Sequence, residues 1–232
     1  MNKTIGILGG MGPVATCDLM KKIIDHTDAS HDQEHLRVCV DSNTNIPDRT
    51  AAILGKGSDP RPEMIKSAVR LQGMGADVLI ISCNTAHYFL SDVEKCVDIP
   101  ILHMPRETAK ELREKGVRTV ALLATDGTIQ SGLYDQELKA QSIVCVHPNA
   151  EEQKMIMSLI YDYVKAGKAY PHVEKIQKMQ ERLKQQGVEC MILGCTELPI
   201  AFAQWDTSIP TIDPTDVLAR SAIRYTGNKL KK

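Results

Sequence analysis

The chain has 232 residues, 43% of them hydrophobic and 25% charged, which is the composition of a globular protein with a substantial core. Its 28 basic and 29 acidic side chains leave a formal net charge of −1, so no single-sign field is available to hold nucleic acid or an anionic membrane surface. Apolar runs fall short of the roughly 20 residues of a membrane span, and the few residues before the first of them leave no room for a signal peptide, so we expect a cytosolic protein.

Short apolar runs alternate with helical patterns along the first part of the chain. The elements predicted in chain order are a strand over 5–8, a loop over 9–13, a helix over 14–24, a strand over 36–40, a helix over 64–71 that closes at Gly73 or Gly75, a strand over 78–81 and a helix from about 84. The run over 78–81 is continuously apolar, which favours a parallel sheet covered on both faces. Alternating strands and helices predict an α/β fold with right-handed crossovers.

The second half of the chain repeats elements of the first in the same order and at nearly the same spacing. The matched segments are 4–9 with 119–124, 38–40 with 144–146, 80–85 with 192–197, and 99–101 with 209–211. Chance similarity between βα units is the alternative, but four matches in one order favour a duplication. We therefore predict two similar domains, residues 1–98 plus 210–232 and residues 99–209, each an open, mostly parallel sheet flanked by helices. A pseudo-two-fold axis relates them in this prediction, with the active site in the cleft between them.

The seven cysteines predict neither disulfides nor zinc, because their number is odd and none stands in a Cys-x-x-Cys pair or at a zinc-site spacing from histidine. No metal is therefore expected. Cys83 and Cys195 occupy matching positions of the repeat, just after an apolar strand and before a predicted helix. Ligands of open parallel sheets bind beyond the carboxyl ends of the strands, so we expect both thiols in the cleft. For each cysteine taken alone, the alternative is a buried thiol that acts as a small apolar side chain.

Two thiols that face each other across a cleft suit one class of reaction. A thiolate removes the proton α to a carboxylate, and the opposing thiol delivers a proton to the other face, which inverts the stereocentre. A helix start beside each cysteine supplies free N–H groups, which predicts a lowered thiol pKa and a cradle for a substrate carboxylate. No pyridoxal site is evident in the sequence, so no cofactor is expected.

Four short motifs stand in a distinctive order along the chain. They are Gly9-Gly10-Met11-Gly12-Pro13, Ile46-Pro47-Asp48-Arg49-Thr50, Ser82-Cys83-Asn84-Thr85-Ala86-His87 and Gly194-Cys195-Thr196-Glu197-Leu198. Together they resemble the cofactor-independent aspartate/glutamate racemase superfamily, specifically its aspartate racemase branch, over essentially the whole chain. The resemblance implies an isomerase that interconverts L- and D-aspartate, with Cys83 and Cys195 as its paired catalytic residues and a homodimer as its assembly.

The same resemblance implies which residues bind the substrate amino acid. It assigns Asn84, Thr85 and Thr196 to the α-carboxylate or amino group, Arg49 and Lys165 to the distal carboxylate, and Met11 and Thr128 to the pocket wall. Glu197 joins these candidates because of its position beside Cys195.

Several of these residues also have simpler interpretations. The fork of Arg49 suits bidentate binding of a carboxylate, but a loop salt bridge with Asp48 is the alternative. Lys165 ends a predicted helix that closes at Gly167, so it could merely complement the helix dipole. His87 and Glu197 lie near the cysteines and could orient them or relay protons, or face water at a helix start.

Departures from the glutamate racemase branch also carry information. That branch places an Asp-Ser-Gly stretch after its first strand and a histidine after Cys-Thr, whereas this chain has Leu8-Gly9-Gly10 and Glu197. Aspartate is therefore the expected substrate, and glutamate or another amino acid is the alternative.

Two more distant alternatives belong to other classes of protein. A dinucleotide-dependent oxidoreductase is suggested by Gly10-x-Gly12-x-x-Ala15 after the first strand and by Asp41 at the end of the second. A non-catalytic amino-acid-binding protein with two α/β lobes is the other, but it has no need of two thiols.

Overall fold

The structure is a computed structural model that describes residues 3–231. Its seven strands are β1 (Ile5–Gly9), β2 (Val38–Ser42), β3 (Val78–Ile81), β4 (Thr119–Leu123), β5 (Val144–Val146), β6 (Cys190–Leu193) and β7 (Thr211–Ile212). They form two sheets, in the orders β2-β1-β3 and β5-β4-β6-β7, and every pairing is parallel. The predicted α/β class is confirmed. Met1 and Asn2, on which the signal-peptide prediction partly rests, lie outside the described residues.

Helices flank both sheets. The α-helices are α1 (Pro13–His26), α2 (Arg49–Ile53), α3 (Arg61–Gly73), α4 (Leu90–Glu94), α5 (Met104–Glu114), α6 (Asp126–Ser131), α7 (Leu133–Ala140), α8 (Ala150–Ser158), α9 (Val173–Gln185), α10 (Leu198–Phe202) and α11 (Pro214–Tyr225). Short 3-10 helices cover Asp32–Glu34 and Thr85–Phe89, and a π-helix covers Leu159–Val164. Within the described residues, no helix is both long enough and apolar enough to span a membrane.

The central strands are buried because alternate side chains enter cores on opposite faces of each sheet. In β3, Val78 and Ile80 join one cluster, whereas Leu79 and Ile81 join the other. In β6, Met191 and Leu193 enter one core, and Cys190 and Ile192 enter the opposite one. This burial on both faces explains why these strands are uninterrupted apolar runs.

Strand order and register repeat between the two halves as the duplication predicts. Ile5 is paired with Val78 in the first sheet, and the matching Val120 with Cys190 in the second. An isolated bridge between Leu79 and Ile101 corresponds to the pairing of Met191 with Thr211. The pseudo-two-fold axis and the domain division stay predictions. Both β7 and α11 lie within residues 210–232, which the prediction assigns to the first domain. In the structure, β7 is paired in the second sheet, and α11 packs mainly against α1 and α5.

Two predicted elements differ from the structure. The second strand begins at Val38 rather than Leu36, which is buried ahead of the strand. After Cys83 the chain forms a 3-10 helix before α4, rather than one continuous α-helix. The ring of His87 accounts for this, because its Nδ1 lies 2.9 Å from the carbonyl oxygen of Cys83 and occupies an acceptor that an α-helix would use.

Candidate active site

The two cysteines line one small cleft at the carboxyl ends of the strands, as predicted. The cleft is narrow, and its walls come from both halves of the chain. Its lining residues are Met11, Asp48, Arg49, Thr50, Cys83, Asn84, Thr85, Thr125, Tyr161, Lys165, Cys195, Thr196 and Glu197. Nine of the ten predicted site residues are among them, and Thr128 is the exception.

Cys83 follows β3 and is buried, with 6% of its surface exposed. Its carbonyl accepts from Nδ1 of His87, and Nε2 of that ring accepts from the backbone N–H of Met104 at 3.1 Å. These two bonds fix a neutral tautomer. Burial, helped by the charge of His103, lowers the pKa of His87 to about 3. His87 therefore positions the Cys83 loop, and it neither relays protons near neutral pH nor faces water.

Cys195 follows β6 and faces an acidic partner. Its thiol donates to Oε2 of Glu197 at 2.9 Å, and the hydroxyl of Thr196 donates to the same oxygen at 3.2 Å. Burial, followed by the charge and hydrogen bond of Glu197, raises the pKa of Cys195 well above its ordinary value. The predicted lowering of the thiol pKa is therefore wrong for Cys195. The helix that follows, α10, has only five residues, and its N–H groups do not outweigh burial beside a carboxylate.

The ammonium group of Lys165 interacts electrostatically with Glu197 and with both cysteines. Its Nζ lies 3.1 Å from Oε1 of Glu197 and 5.5 Å from the centre of the Tyr161 ring. Burial disfavours the ammonium, but Glu197, Cys195 and Cys83 together raise the pKa of Lys165. Both sulfurs therefore lie within electrostatic range of one ammonium group.

Arg49 is buried at the start of α2 and uses much of its guanidinium on the backbone. Nη1 donates to the carbonyls of Ile46 and Pro47, and Nη2 donates to that of Met11 at 2.9 Å. Three of the five N–H donors of an arginine side chain are thus occupied, and Nε has no hydrogen-bond partner in the protein. Burial acts against the charge, but the neighbouring Cys83 and Asp48 raise the pKa of Arg49.

Asp48 does not form the loop salt bridge that was the alternative for Arg49. Its carboxylate caps α2 by accepting from the N–H of Ala51 at 2.7 Å, and its second oxygen accepts from the hydroxyl of Tyr161 at 3.1 Å. The cation of Arg49 is therefore available on the side of Cys83.

Asn84 presents an unused hydrogen-bond donor at the cleft. Its Oδ1 accepts from the hydroxyl of Tyr134, at 2.5 Å, which fixes the orientation of the amide. Its Nδ2 is buried and has no partner in the protein. A buried donor without a partner is costly unless an acceptor is supplied, so this amide is suited to a ligand carboxylate.

A cluster of threonines joins the two halves beneath the cleft. Thr85 Oγ1 lies 3.1 Å from Thr125 Oγ1 and 2.8 Å from Thr128 Oγ1, and Thr50 donates to Thr125 at 3.1 Å. Thr128 therefore supports Thr85 from behind and does not line the pocket, which corrects its predicted position. The halves approach so closely here that a Cβ on Gly127 would lie 2.8 Å from the Cα of Thr50.

Four lining residues were not predicted as site residues: Asp48, Thr50, Thr125 and Tyr161. Asp48 and Thr50 stand within a motif that was noted for Arg49. Tyr161 reaches the cleft because it belongs to a π-helix, whose extra residue per turn shifts side chains from their α-helical faces. An α-helical pattern over this segment gives no signal for that shift.

The glycines of the first loop have a role within the fold rather than at a nucleotide. Gly10 has a φ of +88°, and a Cβ there would lie 2.4 Å from the backbone of Asn43. Gly12 faces Oε1 of Glu197. Asp41, the candidate ribose-binding residue, lies 3.5 Å from Arg70. The loop is therefore shaped by its packing on Asn43 and by the cleft.

Comparison with known proteins is consistent with this geometry. Residues 8–222 match the family model described as Asp/Glu/Hydantoin racemase. The structure is similar to that of Picrophilus torridus aspartate racemase, with a TM-score of 0.84, 32% sequence identity, and coverage of 99% of this chain and 96% of that one. An aspartate racemase homologue from Pyrococcus horikoshii OT3 gives a TM-score of 0.78 at 26% identity, with 98% and 100% coverage.

The sequence is also 28% identical over 228 residues to the broad specificity amino-acid racemase RacX of Bacillus subtilis (strain 168), covering 94% of this chain and 96% of RacX. The fold alone is shared with glutamate racemase from Francisella tularensis, at a TM-score of 0.68 and 18% identity, with 97% and 81% coverage. The chain therefore belongs to the Asp/Glu/hydantoin racemase family and is an amino-acid racemase. The oxidoreductase and binding-protein alternatives are thereby set aside.

Proposed function

We propose that the chain racemises aspartate and that Cys83 and Cys195 are its two acid/base groups. The observation that supports this most strongly is that both thiols line one small cleft, each following an equivalent strand of one half of the chain. The other predicted residues that line the cleft act on the substrate in this proposal, whereas His87 positions Cys83 and Tyr134 positions Asn84.

The proposed reaction exchanges one proton on each face of the α-carbon. The thiolate of one cysteine takes the α-proton, so a C–H bond breaks and an S–H bond forms. The thiol of the other cysteine then gives its proton to the opposite face of the carbanion and becomes the thiolate. The two cysteines exchange roles in the reverse direction, and no other reactant is consumed.

The surroundings of the two sulfurs favour an unequal resting state. The thiol of Cys195 donates a hydrogen bond to Glu197 and is therefore suited to begin as the acid. Cys83, which lies beside the buried cation of Arg49, is then the proposed base. In this proposal, the substrate enantiomer whose α-proton faces Cys83 reacts first without prior proton movement.

Fixed donors would stabilise the carbanion and hold the carboxylates. The unpaired Nδ2 of Asn84 and the hydroxyls of Thr85 and Thr196 are the proposed ligands of the α-carboxylate or amino group. Lys165 and the unused donors of Arg49 are the proposed partners of the distal carboxylate, and Met11 forms part of the wall.

The two-base assignment is tested by incubating L- and D-aspartate separately in deuterated water with wild type, Cys83→Ala and Cys195→Ala. Optical rotation measures racemisation, and mass spectrometry measures deuterium at the α-carbon. We expect neither variant to racemise. Each should retain at most exchange of the one enantiomer that presents its α-proton to the remaining thiol.

Cys39→Ala and Cys190→Ala are matched controls, because both thiols are free and equally buried but lie outside the cleft. Both should retain full turnover. Full racemisation by Cys83→Ala or Cys195→Ala would falsify the two-base assignment.

A broader substrate range is the second candidate, because the chain aligns over most of its length with a racemase of broad specificity. Comparing kcat/KM for aspartate, glutamate and asparagine separates the two. Preference for aspartate over its neutral isostere asparagine, lost in Lys165→Met, supports an acidic substrate. Equal kcat/KM for all three overturns aspartate selectivity and leaves the two-base proposal intact.

The proposal also includes the domain division at residues 98 and 210, a homodimer and a cytoplasmic location. The repeated strand order supports two similar halves, with β7 pairing in the second sheet across the proposed boundary at 210, and seven free cysteines fit a reducing compartment. Sedimentation of the purified chain at several concentrations tests the dimer.

A further inference from the structure

Away from the cleft, three side chains of metal-ligating type converge at the edge of the second sheet. They are Asp135, Cys145 and His147, and one potential ligand atom of each lies within 4.8 Å of the other two. Nε2 of His147 is 2.8 Å from Oδ1 of Asp135, and the sulfur of Cys145 lies within 4.8 Å of both groups. Among residues 3–231, no other group of three such side chains is this close.

The fold brings these residues together from two elements. Cys145 belongs to the edge strand β5, and His147 directly follows it, so the extended backbone places both side chains on one face. Asp135 comes from the first turn of α7, which packs against β5. Cys145 and His147 alone do not have the spacing of a zinc motif, which explains why the sequence predicted no metal there.

We propose that Asp135, Cys145 and His147 bind one zinc ion, with water in the fourth position. Zinc takes thiolate, imidazole and carboxylate ligands together, usually in tetrahedral geometry, at about 2.0–2.3 Å. Tetrahedral bonds of that length hold ligand atoms roughly 3.5 Å apart, which small rotations of these partly exposed side chains can reach. A site made only of oxygen ligands would suit magnesium or calcium, and the thiol argues against both.

The charges also balance. Zinc binding displaces the proton of Cys145 to solvent, so the thiolate and the Asp135 carboxylate together neutralise the ion, and His147 binds as the neutral imidazole. The Cys145 side chain packs against the apolar cluster of β4, β6 and α7, which limits water on that side of the ion. The bound ion would connect the three-residue strand β5 to α7.

The test uses the whole chain freed of metal by dialysis against a chelator. Zn²⁺ is titrated in competition with a chromophoric chelator, and Co²⁺ is added separately as a spectroscopic probe. We expect one ion per chain, a tetrahedral Co²⁺ spectrum with a thiolate charge-transfer band, and a Tm that rises with Zn²⁺. Cys145→Ser should abolish the charge-transfer band, and His147→Ala should weaken Zn²⁺ binding at least about 100-fold, beyond the loss typical of an outer-shell change.

Two matched controls have the same chemistry at other exposed positions. Cys96→Ser and His172→Ala should leave the stoichiometry, the Co²⁺ spectrum and the Zn²⁺ affinity unchanged. A charge-transfer band that persists in Cys145→Ser but disappears in Cys83→Ser/Cys195→Ser would place the ion in the cleft and overturn the proposal. Unchanged Zn²⁺ affinity in His147→Ala would overturn it as well.

Discussion

Replacing Tyr134 by phenylalanine removes one hydroxyl from a fully buried ring and keeps the volume of the ring. That hydroxyl donates to Oδ1 of Asn84, so the change leaves a buried acceptor without its partner. Such a loss costs about 1–3 kcal/mol of unfolding free energy. Since 1 kcal/mol shifts the Tm of a chain of this size by about 2–4 °C, we expect Tyr134→Phe to lower the Tm by about 2–12 °C.

The same change should also reduce catalysis, because the amide of Asn84 is no longer held with Nδ2 as its free donor. If the misplaced amide weakens binding of the transition state by about 1.4 kcal/mol, kcat/KM falls about 10-fold. We expect at least this loss for aspartate racemisation. Tyr88→Phe is the matched control, because its ring is half exposed and outside the cleft. It should change neither Tm nor kcat/KM.

A double-mutant cycle separates this positioning role from general damage. In an Asn84→Ala background, Tyr134→Phe should cause little further loss of kcat/KM, since the group that it orients is absent. Wild-type kcat/KM in Tyr134→Phe, or an equal loss in both backgrounds, would refute the reasoning.

Three further predictions follow from close contacts and buried charges. Gly127→Ala places a Cβ 2.8 Å from a backbone carbon of α2 and should cost about 1–3 kcal/mol in a thermal melt, whereas Gly73→Ala, in open space within α3, should stabilise by about 0.5–1 kcal/mol. His87, with a folded pKa of about 3 against an ordinary 6.5, is neutral when folded and takes up a proton on unfolding. Stability should therefore fall below pH about 6.5, by up to about 1.4 kcal/mol per pH unit, and His87→Gln should reduce that slope in Tm-versus-pH measurements. Glu197→Gln removes a negative charge that raises the pKa of Cys195, so that pKa should fall and alkylation of the thiol at fixed pH should accelerate. An unchanged alkylation rate contradicts this last prediction.

The parts of the fold that could be predicted are those that follow from a local sequence pattern or from a general rule of parallel sheets. β3 was placed at its observed bounds, because a strand buried on both faces must be apolar at every position. The meeting of Cys83 and Cys195 was predictable because the carboxyl ends of parallel strands are where loops converge. Neither inference requires knowledge of side-chain contacts.

The parts that could not be predicted depend on contacts between elements that are distant in the chain. Tyr134 and Asn84 are 50 residues apart, and Tyr161 and Asp48 are 113 apart, so no local pattern connects them. The pKa of Cys195 was predicted from the helix start alone, whereas burial and Glu197 dominate it. Thr128 had a local signal that was not used: Thr125 caps α6 and accepts from the N–H of Thr128, which turns this first helical turn toward the threonine cluster.

The two cysteines occupy equivalent positions in the two halves but contact different side chains, and this asymmetry poses a problem for a racemase. The proposed cycle must pass through both arrangements of one thiol and one thiolate, but Glu197 favours the proton on Cys195, and no such carboxylate contacts the thiol of Cys83 among the described hydrogen bonds. Lys165 is placed to reduce this inequality, because its ammonium interacts with both sulfurs and can stabilise the thiolate on either side. Its contact with Glu197 also weakens the negative charge that disfavours a thiolate at Cys195. In the proposed mechanism, Lys165 therefore brings the two protonation states closer in free energy, in addition to any contact with the distal carboxylate. Its loss should lower kcat for one enantiomer more than for the other, measured as initial rates at saturating substrate, whereas kcat/KM must stay equal in the two directions because the enantiomers have the same free energy.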